Sequence, residues 1–114
     1  MTYEKLREIL LDLKIFKMRG TMKPPNSRVI FEHKPIRIIV TPKESSIMID
    51  GYEHWAFTLK GLTTKDLFVM LDDYFPQPHD EFEFTWTHID FGNSQDWINF
   101  KTKWLRQEKI ETLI

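Results

Sequence analysis

Arg28-Val29-Ile30-Phe31-Glu32-His33, Ile36-Arg37-Ile38-Ile39-Val40-Thr41 and Ile47-Met48-Ile49-Asp50-Gly51 follow one another in a single stretch of the chain. The first two are rich in β-branched residues and are separated by Lys34-Pro35, so each reads as a strand. Pro42 to Ser45 reads as a turn. Asp50-Gly51 is a hairpin signal, because a type I′ turn needs positive φ at both central residues. A return strand from about Glu53 to Leu59 then places Trp55, Phe57 and Leu59 on one face. Four strands in succession predict an antiparallel meander.

Helical patterns flank the meander. Leu6, Ile9, Leu10, Leu13 and Phe16 recur at helical spacing and predict a helix from Tyr3 to Met18, capped by Thr2 and stopped by Gly20. Thr21 to Ser27, with Pro24-Pro25, is a non-helical connector. Thr63 and Asp66 have capping-box spacing and open a second helix that ends near Tyr74, before Pro76. Its segment Leu67-Phe68-Val69-Met70-Leu71 is apolar nearly all round, which predicts cover on more than one side. Glu81 to His88 alternates Phe82, Phe84, Trp86 and His88 with Glu81, Glu83, Thr85 and Thr87, the pattern of a half-buried strand. Asn93 or Ser94 caps a third helix reaching about Glu111, with Trp97, Phe100 and Trp104 in one stripe.

The order α-β-β-β-β-α-β-α predicts an α+β fold. Two layers, with three helices on a mostly antiparallel sheet of about five strands, would bury both apolar patterns. At 114 residues the chain has the length of a single domain. It has no cysteine, which excludes a disulfide framework, a thiolate zinc site and a cysteine nucleophile. Aromatic residues make up 14%, so the core is expected to be built from large rings. The apolar runs fall short of the roughly 18 residues a membrane span requires. No apolar leader segment, lipidation motif or retention motif is legible, so no membrane partner is expected and the cytoplasm is the expected compartment.

A net charge of −1 hides a segregation. Lys14, Lys17, Arg19, Lys23, Arg28, Lys34, Arg37 and Lys43 fall in one segment with a single acid, Glu32. Asp66, Asp72, Asp73, Asp80, Glu81, Glu83, Asp90 and Asp96 fall in another with no lysine or arginine. Charge separated in this way steers a charged partner if it forms patches in space, and self-neutralises if the segments meet. Lys17, Arg19, Lys23, Arg28 and Arg37 on one side, and Asp72, Asp73, Asp80 and Glu81 on the other, are the candidate partner-binding charges. Trp104, late in its helix, is the tryptophan expected to be only partly covered.

Catalytic patterns are weak. His88 and Asp90 stand two apart, where a strand would present both on one face to a metal, but no second pair has a recognised ligand spacing. The His-hydrophobic-Ser/Thr-hydrophobic motifs of two-histidine phosphoesterases lack their hydroxyl residue here, reading His54-Trp55-Ala56-Phe57 and His88-Ile89-Asp90-Phe91. Ser27, Ser45, Ser46 and Ser94 occupy turns or caps, and the four glycines are too dispersed for a phosphate cradle. No catalytic residue, metal or cofactor is therefore expected.

The expected function is that of a small non-enzymatic accessory or inhibitor protein, of the kind phages and mobile elements encode, acting by binding another protein. The alternative is a nucleic-acid-binding protein using Lys14 to Lys43, although the isoelectric point of 6.4 is low for one. A metal-dependent hydrolase around His88 and Asp90 ranks third. Homo-oligomerisation is compatible with all three.

Overall fold

Thr2 caps the first helix as its position predicts, its Oγ1 accepting the Lys5 N–H at 3.2 Å. In the computed structural model, which describes residues 1–21, 28–34, 36–41, 45–51, 54–75 and 93–113, this helix, α1, spans Tyr3–Asp12. The strands are β1 (Lys17–Thr21), β2 (Arg28–His33), β3 (Ile36–Thr41), β4 (Ser46–Asp50) and β5 (His54–Thr58). Helix α2 (Thr64–Leu71) continues into a 3₁₀ turn at Asp72–Tyr74, and α3 covers Ser94–Leu113. The result is an α+β fold with a five-stranded antiparallel sheet and three helices, in the order helix, five strands, helix, helix. The chain divides into two compact units, Met1–Leu62 and Thr63–Ile114.

In the first unit every strand pairs antiparallel with its neighbour in sequence, giving the order β1-β2-β3-β4-β5. Directly opposed residues share a face. One face carries the rows Met18–Phe31–Ile38–Ile49–Trp55 and Gly20–Val29–Val40–Ile47–Phe57. Its central residues (Val29, Phe31, Ile38, Val40, Ile47 and Ile49) are fully or almost fully buried, as are Leu6, Ile9 and Leu10 of α1. Burial of each such side chain contributes about 1.5–3 kcal/mol.

The expected helix from Tyr3 to Met18 is cut short. Lys14 takes φ +60°, a left-handed conformation that turns the chain out of the helix. Phe16 continues the helical spacing by coincidence of sequence, and Lys17 to Thr21 pair with Arg28 to Glu32 as a strand. Gly20 therefore does not stop a helix. It lies within β1 at φ +111°, where a Cβ would sit 2.2 Å from the Arg28 carbonyl oxygen.

The expected Asp50-Gly51 turn is also corrected. Asp50 is the last residue of β4 and pairs with His54, so residues 51–53 make the connection. The positive φ values among the described residues are at Lys14, Gly20 and Ser45. Ser45 closes the other side of β4, and its carbonyl accepts the Leu59 N–H at 2.7 Å.

In the second unit the capping box at Thr63 and Asp66 forms as predicted, with bonds in both directions. Asn93 and Asp96 make the same reciprocal pair at the start of α3, at 2.9 and 3.0 Å. Leu67, Phe68, Met70 and Leu71 are buried, but Val69 is 59% exposed, so α2 has one open side. The expected strand at Glu81 to His88 lies outside the described residues.

Candidate functional site

The outward face of the sheet collects four of the eight cations of the basic segment, Lys17, Arg19, Arg28 and Arg37. The register places Lys17, Glu32, Arg37, Asp50 and His54 in one row across all five strands, with charge alternating over the first four. Arg19 shares the face and donates to Glu32 Oε2 at 2.9 Å, one position diagonal to Glu32's own partner Lys17. The Arg37 guanidinium lies 3.7 Å from Asp50, whose carboxylate is 3.9 Å from His54 Nδ1. Arg28 shares the face with Thr41, Ser46 and Thr58 of the following strands.

Between the charged row and the hydroxyl-bearing residues runs the row Arg19–Ile30–Ile39–Met48–Ala56. Apart from the terminal arginine it is apolar, and it is not buried: Ile30 and Ile39 are half-buried, while Met48 and Ala56 are exposed. A sheet with one sealed face and one solvated face ordinarily carries polar residues on the second. An apolar row framed by charge is the departure from that pattern.

Four of the predicted partner-binding residues, Lys17, Arg19, Arg28 and Arg37, are thus brought onto one face. Strand periodicity accounts for this: their spacings within and between strands all fall on one side of the pleat. Two carboxylates, Glu32 and Asp50, answer four cations there, and Lys17 and Arg28 make no ion pair among the described residues. Ion pairs this exposed contribute at most about 1 kcal/mol each. Exchanging one for a partner's carboxylate therefore costs little.

Other predicted residues go elsewhere. Lys23, Asp80 and Glu81 lie outside the described residues, as do His88 and Asp90. Asp73 is exposed. Asp72 is engaged inside the second unit, where its Oδ1 accepts the Trp97 Nε1–H and the Lys101 ammonium, each at 2.8 Å. Trp104 is not the partly covered tryptophan that was expected: it is only 6% exposed, its ring centroid 6.5 Å from that of Phe100.

The stripe on α3 is core. Trp97 is fully buried, stacks on Phe75 at 3.9 Å and 8°, and meets the Phe68 ring edge-on at 5.7 Å. Lys101 lies 5.3 Å from the centre of the Trp97 ring, so the cation both pairs with Asp72 and covers the indole. Among the described residues no three His, Asp or Glu side chains gather as a metal site, and no helix is long and apolar enough to cross a membrane.

Sequence reasoning missed Ile30, Ile39 and Met48. Each sits in a run that reads as apolar throughout, and only the register separates the sealed side from the open one. No family model, curated protein or solved structure matches the chain.

Proposed function

We propose that this chain is a non-enzymatic binding protein whose working surface is the outward face of the sheet, and that its partner is an acidic protein surface bearing an apolar ridge. The carrying observation is the row Ile30–Ile39–Met48–Ala56, half-buried at its first two residues and exposed at its last two, beside Lys17, Arg19, Arg28 and Arg37. An apolar strip with a charged rim is the anatomy of a protein interface, in which the strip supplies affinity and the rim sets orientation and encounter rate.

Nucleic acid is the second reading, favoured by the convergence of four cations on one face. Two of the four have carboxylate neighbours, and among the described residues the face carries no Phe, Tyr or Trp ring on which a base would stack, His54 being its one aromatic side chain. Both features favour protein.

The deciding experiment is capture from lysate with and without nuclease, using wild-type protein, an Arg37→Glu/Met48→Glu variant and a control, Arg106→Glu, at an exposed position of α3. The proposal expects one partner retained by the wild type and the control but not by the face variant. Equal retention by all three would overturn the assignment of the face. Material captured only without nuclease would transfer the face to the second reading.

A further inference from the structure

The two edges of the sheet differ in a way that bears on self-association. An edge strand exposes unpaired N–H and C=O groups, and chains that remain single blunt such edges with lysine, proline or local distortion. Strand β1 has these devices: Lys17 and Arg19 lie on it, and Gly20 bends it at φ +111°. Strand β5 has none. His54-Trp55-Ala56-Phe57-Thr58 contains no Lys, Arg, Asp, Glu, Pro or Gly, and among the described residues nothing lies beyond it in the sheet.

The direction of the backbone groups on its outer edge follows from one bond. Leu59 donates to Ser45, so the pairs at alternate positions, Phe57 with Ile47 and Trp55 with Ile49, are the hydrogen-bonded ones. His54, Ala56 and Thr58 therefore point their N–H and C=O groups away from β4. These three positions are symmetric about Ala56.

We propose that β5 pairs antiparallel with β5 of a second copy, about a two-fold axis at Ala56, to form one continuous sheet across a homodimer. In that register Ala56 meets Ala56 of the second copy and His54 meets Thr58 of the second copy. The N–H and C=O groups of all three point away from β4, so each of them gains a partner across the seam. Trp55 falls opposite Phe57 of the second copy on the other face, in the closer, non-hydrogen-bonded kind of pair. Within one chain these rings already stack at 6.0 Å, and Phe57 is 37% exposed, although it faces the side of the sheet whose centre is sealed. The seam extends this aromatic pair into a cluster of four rings. It sets no like charges opposite each other, since His54 faces a threonine. A small residue at the axis lets the two copies approach without a clash.

The test is sedimentation equilibrium over a dilution series, with wild type, Ala56→Lys and Ala56→Glu. The wild type is expected at twice 13.8 kDa at high concentration. Each variant places like charges across the axis and is expected to raise the dimer dissociation constant about fivefold or more. Mixing the two variants in equal amounts pairs opposite charges and restores the dimer. Ala56 faces solvent, so both variants keep the wild-type circular dichroism spectrum. If either does not, Ala56→Pro replaces it, removing only an outward N–H. A wild type that stays at 13.8 kDa throughout overturns the proposal. So does a dimer that survives the substitutions, or a mixture no tighter than its components.

Discussion

The indole N–H of Trp97 donates to Oδ1 of Asp72 at 2.8 Å, and the same oxygen accepts the Lys101 ammonium at the same distance. Trp97 is fully buried, so its donor has no access to water and depends on this acceptor. The carboxylate is two-thirds covered and shares its charge with a lysine that is itself 21% exposed. The acidic character of this segment thus has an internal use at Asp72, fastening the 3₁₀ turn to α3.

Removing that acceptor should cost more than an exposed ion pair would. Asp72→Ala is expected to destabilise the protein by about 2 kcal/mol, because an unsatisfied buried donor loses its solvation as well as its bond. Asp72→Asn keeps an oxygen for the indole and should lose about half as much. Urea unfolding followed by tryptophan fluorescence separates the two, and equal losses would show that the charge on Asp72, not its acceptor, is what matters.

Gly20 should tolerate no side chain. A Cβ 2.2 Å from a backbone carbonyl, at φ +111°, forces β1 away from β2. Gly20→Ala is expected to cost roughly 2 kcal/mol or more, and hydrogen exchange should accelerate at Met18 and Val29 before the rest of the sheet.

Ile38 and Ile39 are neighbours in sequence on opposite faces. Ile38→Ala should cost about 2–5 kcal/mol by opening a cavity in the sealed layer. Ile39→Ala, on the open side, should cost less than about 1 kcal/mol while weakening partner capture. Chemical denaturation of the two variants checks the assignment of faces, and similar losses would refute it.

Helix starts offer a smaller and cleaner measurement. Thr63→Ala and Asn93→Ala each remove an oxygen that accepts an N–H three residues on. Each is expected to lower stability by about 1 kcal/mol, read as a fall in thermal midpoint.

The Thr63–Asp66 box was legible in the sequence because a cap is local and needs no tertiary information, and the start of α3 was legible as Asn93 or Ser94, with the bonds to Asp96 deciding for Asn93. The strands from Arg28 to Asp50 were legible for the same reason, since β-branched runs broken by proline and turn residues have few alternatives. Lys17 to Thr21 was not. Its strand character comes from pairing with Arg28 to Glu32, and nothing in Lys-Met-Arg-Gly-Thr itself favours a strand over a frayed helix end. The candidate face was half legible. The cations that form its rim were visible as a run, whereas the row Ile30–Ile39–Met48 exists only once the register is known. Trp104 misled because position near the end of a helix says little about what packs against it.

The sheet order has a consequence for how the chain comes together. Among the described residues every ladder joins strands adjacent in the chain, so closing each hairpin requires only a short loop search, the condition under which folding is fast. During synthesis, β2 can pair with β1 as soon as it leaves the ribosome, and each later strand finds its template already waiting. Strand β5 is the last of the described strands to arrive, and of the two outermost it is the one whose sequence carries no lysine, proline or glycine.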